Sequence, residues 1–115
     1  MTVTIWHNPK CSTSRKVLEQ IRDRGIEPNV VHYLETPPSE REIKSVLKAA
    51  GLSARDLLRR NGTPYDELGL DNPRLTDTAL IAAMHKHPIL IERPVVATPK
   101  GTRLCRPAER LNEIL

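Results

Sequence analysis

The feature that most constrains the fold is the alternation of strand and helix patterns in the first 50 residues. Residues 2–6 alternate polar and apolar side chains and are rich in β-branched residues, which predicts a first strand. After Cys11, apolar side chains recur at helical spacing as far as Gly25, and residues 29–34 form a second predicted strand. A crossover this short favours parallel pairing of the two strands around one right-handed helix.

Further helices are predicted after the second strand. Ser39 to Glu42 has the S-x-x-E pattern of a capping box, and the helix that it starts is predicted to end before Gly51. Ser53 and Thr76 are predicted caps of two more helices, separated by a turn-rich segment. We therefore predict that residues 53–87 are a helical insertion.

The last part of the chain predicts two more strands and a closing helix. Residues 95–97 and 102–105 flank a Pro- and Gly-containing turn, which is typical of an antiparallel hairpin. Pro107 is well placed as the first residue of the closing helix. The complete order, with the insertion between a βαβ half and a ββα half, predicts a thioredoxin-like α/β fold: a mixed β-sheet flanked by helices.

Length and composition indicate one small globular domain. At 115 residues, with 38% hydrophobic and 28% charged residues, the chain is predicted to form a single domain over residues 1–115. No run of ~20 apolar residues and no apolar leader segment is found, so we expect a soluble, cytoplasmic protein with no membrane contact. The net charge of +4 suits an anionic partner, but aromatic residues make up only 3% of the chain. A nucleic acid is therefore not expected as that partner.

Cys11 is the first candidate for chemistry, because it stands where the first helix is predicted to begin. Unpaired backbone N–H groups and the helix dipole at that position favour a thiolate and lower the pKa of the thiol. His7 is a candidate to contribute as an imidazolium or as a hydrogen-bond donor, and the hydroxyls of Thr13 and Ser14 are candidate donors to the sulfur. The polar loop favours this interpretation over a small packed side chain.

The position that holds the second cysteine of a C-x-x-C motif holds Ser14 instead. Cys105, the other cysteine, lies in a predicted strand and is expected to be a packed side chain. An external thiol such as glutathione is therefore the simpler agent to resolve any disulfide formed at Cys11. The cysteines and histidines have no metal-site spacing, so no metal is predicted.

Two arginines are candidates to bind an oxyanion, which planar guanidinium groups hold with paired hydrogen bonds. Arg93 is followed by Pro94, and Arg106 is followed by Pro107. Each arginine therefore lies at a rigid boundary near the last two strands. The other arginines are expected to be solvated surface residues.

Five ordered blocks of sequence carry a family resemblance over nearly the whole chain. They are residues 7–15, 57–59, 64–70, 87–94 and 103–107, the first of which reads His-Asn-Pro-Lys-Cys-Ser-Thr-Ser-Arg. Through these blocks the chain resembles the glutaredoxin-coupled arsenate reductases, which have a thioredoxin-like fold. Five blocks in order are far more specific than a C-x-x-S motif alone.

The resemblance implies a reaction and a set of site residues. The implied catalytic residues are Cys11, which attacks arsenate or a similar small oxyanion, and His7, which helps to keep the thiol ionised. Ser14 is the third catalytic candidate, through its hydroxyl as a donor to the sulfur. Three guanidinium groups would hold the oxyanion, those of Arg59, Arg93 and Arg106. Pro94 would follow a cis peptide bond. Glutathione would enter the arsenic adduct, glutaredoxin would reduce the mixed species and arsenite would leave, with no bound cofactor.

Two alternatives stay open at this point. One is a glutathione-dependent thiol reductase with another substrate, and the other is a regulatory binding module related to redox regulators that contact RNA polymerase. A redox regulator would profit from a C-x-x-C switch, which Ser14 removes. A binding module has no need for arginines that converge on Cys11, so guanidinium groups turned away from the sulfur would favour it.

Overall fold

The computed structural model describes residues 2–115 and contains a mixed sheet of four strands. Within those residues the strands are β1 (Thr4–Trp6), β2 (Asn29–Val31), β3 (Val95–Thr98) and β4 (Gly101–Leu104), in the spatial order β2-β1-β3-β4. β1 and β2 are parallel, as the crossover predicts, and β3 is antiparallel to both β1 and β4. The thioredoxin-like α/β fold and the hairpin are thereby confirmed.

The first two strands are shorter than predicted. β2 ends at Val31 because the chain turns directly afterwards, with the N–H of Glu35 donating to the carbonyl of His32 at 3.0 Å. A predicted strand over residues 29–34 therefore runs three residues too far, since the aromatic and apolar side chains of Tyr33 and Leu34 continue the strand-like pattern into the turn.

The chain divides into two compact units. The first comprises residues up to Thr36 together with Arg93–Leu115, and the second comprises Pro37–Glu92. The second unit is wider than the predicted insertion over residues 53–87. The single-domain assignment stays a prediction. Among residues 2–115, no helix is both long enough and apolar enough to cross a membrane.

In the first unit, α1 (Ser12–Asp23) and a closing 3-10 helix (Ala108–Glu113) share a core with the sheet. The core residues are spaced two apart where the chain enters β1 and three to four apart on and next to the helices, as one buried face requires. They include Val3, Ile5, Val17, Ile21, Val96, Cys105, Leu111 and Ile114. The closing helix was predicted at the right place, but its six residues form the tighter 3-10 geometry common in short pieces.

The second unit is helical. It contains α2 (Glu40–Ala50), α3 (Ala54–Leu57), α4 (Asp77–Lys86) and a 3-10 helix over Pro88–Leu90. Thr76 caps α4 as predicted, and Ser53 caps α3 in a capping box with Asp56. The capping patterns therefore identified the helix starts in this unit correctly.

The predicted capping box at Ser39 provides a test of helix stability. The Ser39 hydroxyl accepts from the backbone N–H of Glu42 at 3.1 Å, and the Glu42 carboxylate accepts from the backbone N–H of Ser39 at 3.0 Å. We expect Ser39→Ala to lower the free energy of unfolding by about 1 kcal/mol, measured by urea denaturation. Ser45→Ala, at an exposed position inside α2, is the matched control and should not destabilise the protein. Equal losses in both variants would contradict the role of the cap.

Candidate active site

Cys11 stands at the beginning of α1, where the sequence places it. β1 ends at Trp6, and a four-residue loop leads to Cys11, which is the N-cap residue of the helix. Asn8 shapes this loop, because its backbone carbonyl accepts from the N–H of Cys11 at 3.0 Å and its Oδ1 accepts from the N–H of Lys10 at 3.0 Å. The thiol is partly exposed and both cysteines are free. Position and exposure both suit a nucleophile.

The surroundings of Cys11 lower the pKa of its thiol. Burial alone raises this pKa, but opposing interactions outweigh burial. The strongest of them is with the backbone N–H of Ser14, followed by the Arg93 guanidinium and the backbone N–H of Thr13. The sulfur makes no full capping hydrogen bond, so the backbone groups act mainly by electrostatic attraction at the helix start. The thiolate is therefore more populated than in an ordinary cysteine.

Arg93 and Arg106 both reach the sulfur. The Arg93 side chain hydrogen-bonds to Cys11, and Nη1 of Arg106 lies 3.7 Å from Cys11 Sγ. The same nitrogen of Arg106 donates to the backbone carbonyl of Arg93 at 3.2 Å, which links the two arginines. The Arg93-Pro94 peptide bond is cis, as the resemblance implies, and so is the Arg106-Pro107 bond. The structure thus brings together three of the predicted site residues.

His7 and Ser14 form a buried pair beside the thiol. His7 Nδ1 lies 2.7 Å from Ser14 Oγ, which also accepts from the backbone N–H of Asn8 at 3.1 Å. The Ser14 hydroxyl thus bonds to the loop, and it is the backbone N–H of Ser14 that acts on the sulfur. Asn8 was not among the predicted residues. Asn8 lies between a predicted strand and a proline, a position typical of a turn, and this was the signal in the sequence that could have identified it.

His7 is favoured in its neutral form. Burial lowers the pKa of its imidazole, and nearby His32, Arg22 and Arg15 lower it further. The ring of His32 lies edge-on to that of His7, with centroids 5.9 Å apart. Of the two forms that the sequence left open, the structure favours the neutral hydrogen-bonding partner over the imidazolium.

Arg59 lies in the second unit, directly after Leu58 at the end of α3. Its backbone N–H donates to the carbonyl of Leu90 at 2.7 Å, and its Nη1 pairs with Glu92 Oε1 at 2.9 Å. Both side chains of this ion pair are 19% exposed. The ion pair holds the guanidinium in one place, and the predicted role of Arg59 in oxyanion binding still rests on the resemblance.

His85 lies outside the active-site loop and makes an ordinary hydrogen-bond contact. His85 Nδ1 lies 2.8 Å from the backbone carbonyl of Pro38, which fixes the end of α4 within the second unit. Over residues 2–115, no three His, Cys, Asp or Glu side chains are grouped so that they could hold a metal ion.

The two thiols should react at very different rates. Cys105 is fully buried, and burial raises its pKa to about 12, whereas the pKa of Cys11 is lowered. At about pH 6.5 we expect iodoacetamide to alkylate Cys11 at least ~100-fold faster than Cys105, because the thiolate is the reacting form. Peptide mass spectrometry after brief labelling measures both rates. Equal labelling, or faster labelling of Cys105, would remove the basis for choosing Cys11.

Comparison with known proteins extends these observations. A model of the ArsC family matches residues 6–114. The arsenate reductase of Rhizobium meliloti is 56% identical over 115 residues, covering 100% of this chain and 82% of that protein. The arsenate reductase of Escherichia coli is 56% identical over 113 residues, covering 98% of this chain and 80% of that protein. The structure of the arsenate reductase from Vibrio cholerae superimposes with a TM-score of 0.95 at 46% identity, covering 100% of this chain and 98% of that one.

Proposed function

Because the chain belongs to the ArsC family, we propose that it reduces arsenate to arsenite, with Cys11 as the nucleophile. The observation that carries the proposal is the convergence of two guanidinium groups on one activated thiol. A thiolate and arsenate repel each other, so their reaction requires fixed positive charge close to the sulfur. Arg93 and Arg106 supply that charge, and Arg59 is the proposed third guanidinium.

The first chemical step forms a bond between Cys11 Sγ and the arsenic atom. One As–O bond breaks, and the departing oxygen takes up protons and leaves as water, while the arsenic stays pentavalent. Arg93 and Arg106 hold the remaining oxygens by charge-assisted hydrogen bonds and stabilise the charge that builds up as the sulfur attacks. His7 and Ser14 act as positioning residues, because their hydrogen bond fixes the helix start whose N–H groups stabilise the thiolate.

The electrons come from external thiols in this proposal. Glutathione sulfur bonds to the arsenic, and a second oxygen leaves as water. A glutaredoxin thiolate then attacks the glutathione sulfur, forms a disulfide with it and leaves two electrons on the arsenic, which becomes trivalent. Water cleaves the remaining S–As bond and releases arsenite and Cys11. Ser14 in place of a second cysteine and the buried Cys105 support an external reductant, which fits a cytoplasmic enzyme without a bound cofactor.

The geometry at the sulfur also weighs on the two alternatives. A binding module gains nothing from arginines directed at a thiolate, and both Arg93 and Arg106 are so directed. A thiol reductase with another substrate would use the same nucleophile, and an assay separates it from an arsenate reductase.

The test is a coupled assay with the purified full chain, arsenate, glutathione, glutaredoxin, glutathione reductase and NADPH. We expect one arsenite to be released for each NADPH oxidised, with arsenite quantified directly by chromatography. Omission of arsenate, or its replacement by phosphate, should leave only background oxidation. If the chain forms no arsenite but reduces 2-hydroxyethyl disulfide without glutaredoxin, faster than a blank that lacks the chain, the proposal would be overturned in favour of the thiol reductase.

A further inference from the structure

A cleft beside the active-site thiol shares Arg106 with the oxyanion site, and its other lining residues lie outside that site. Its volume of about 380 Å³ lies within the range of small-molecule pockets, about 300–1,000 Å³. The lining residues come from the first turns of α1 and from the start of the closing 3-10 helix: Thr13, Lys16, Arg106, Pro107, Ala108 and Glu109. Arg106 joins this cleft to the thiol, because its Nη1 lies 3.7 Å from Cys11 Sγ. A molecule bound in the cleft therefore lies next to an arginine that contacts the reacting sulfur.

The charges of the cleft indicate what it binds. Lys16 Nζ and Glu109 Oε1 are 4.0 Å apart, and their side chains are 59% and 69% exposed. An exposed pair at this separation is weak, so a ligand that offers its own charges can replace it at little cost. Lys16 and Arg106 attract a carboxylate, whereas Glu109 repels it and attracts an ammonium group. A ligand that carries both a carboxylate and an ammonium group satisfies both side chains.

We propose that this cleft binds glutathione, with Lys16 contacting a carboxylate and Glu109 contacting the ammonium of the γ-glutamyl group. The inference rests on the proposed function and names the place of its thiol reductant. Glutathione combines the required charges with a thiol in the middle of the molecule. The bound thiol forms its S–As bond to the Cys11 adduct, and its proton leaves with an arsenic-bound oxygen as water, so the arsenic stays pentavalent in this step.

Steady-state kinetics provide the first test. With arsenate saturating, Lys16→Ala and Glu109→Ala should each raise KM for glutathione about fivefold, the effect of an ion pair at a partly exposed site. The KM for arsenate and the kcat at saturating glutathione should change by less than about twofold, because the oxyanion site is intact. Lys100→Ala is the matched control, since Lys100 is exposed on the β3–β4 turn and outside the cleft. An unchanged KM for glutathione in both cleft variants would overturn the proposal.

A second test does not depend on arsenate. Cys11 thiolate attacks one sulfur of glutathione disulfide, forms a mixed disulfide and releases one glutathione thiolate. We expect Lys16→Ala and Glu109→Ala to slow this reaction about fivefold and to leave the reaction with uncharged 2-hydroxyethyl disulfide within about twofold of the parent rate. Equal effects on both disulfides would overturn the assignment of the cleft as the glutathione site. If the variants slow only the reaction with glutathione disulfide and the protein forms no arsenite, the glutathione site is supported and the proposed function is overturned.

Discussion

Cys11→Ser should abolish arsenate reduction, lowering kcat/KM by about 10⁴-fold or more, the size of loss seen when a covalent nucleophile is removed. The sulfur forms the bond to arsenic, and it leaves again as a thiolate when water cleaves that bond and releases arsenite. A serine hydroxyl at the same helix start is far too weak an acid to supply an equivalent alkoxide. Direct measurement of arsenite in the coupled assay gives the value.

Cys105→Ala is the matched control for the loss of a thiol. Cys105 is buried in the core of the first unit with a pKa raised to about 12, so its thiol takes no part in the proposed reaction. We expect kcat/KM within about threefold of the parent, because alanine is a small change at a packed site. Activity that survives in Cys11→Ser and is lost in Cys105→Ala would reverse the assignment of the nucleophile. Circular dichroism of both variants verifies folding.

The sequence was sufficient for the parts of the fold that depend on local pattern. Parallel pairing of β1 and β2 follows from the short crossover, and the starts of α2 and α4 follow from hydroxyl caps at Ser39 and Thr76. Each of these features is determined within fewer than thirty neighbouring residues, where side-chain period and capping chemistry act. The position of Cys11 at a helix start was likewise predicted from the local sequence.

The periodicity of the sequence did not predict the long-range contacts. The link between Arg106 and Cys11 joins residues 95 positions apart, and only the family resemblance indicated it. Lys16 and Glu109, which meet across the cleft, belong to no block of the resemblance and look like ordinary surface charges. Such contacts depend on how the closing segment packs on α1, and sequence periodicity carries no information about that packing.

Arg93 and Arg106 are the residues whose loss should have the second-largest effect. Arg93→Ala and Arg106→Ala should each lower kcat/KM for arsenate by about 10²-fold or more, in line with the ~2.7–4 kcal/mol cost of a lost oxyanion donor. Each change removes a planar donor pair from the immediate surroundings of the sulfur. The coupled assay measures the effect, and circular dichroism shows whether each variant is folded.

Substitutions that separate charge from geometry sharpen this prediction. Lysine at either position should restore only part of the activity, because an ammonium keeps the positive charge without the planar fork that pairs with two oxygens. Arg41→Ala, at an exposed position on α2, is the matched control and should change kcat/KM little.

Arg93→Ala should also raise the pKa of Cys11, since the guanidinium lowers it in the parent protein. The rate of Cys11 alkylation as a function of pH measures that shift without any substrate. Parent-level activity in both alanine variants would refute the oxyanion site even if Cys11 proved essential, and would leave a thiol reductase whose substrate carries no such charge.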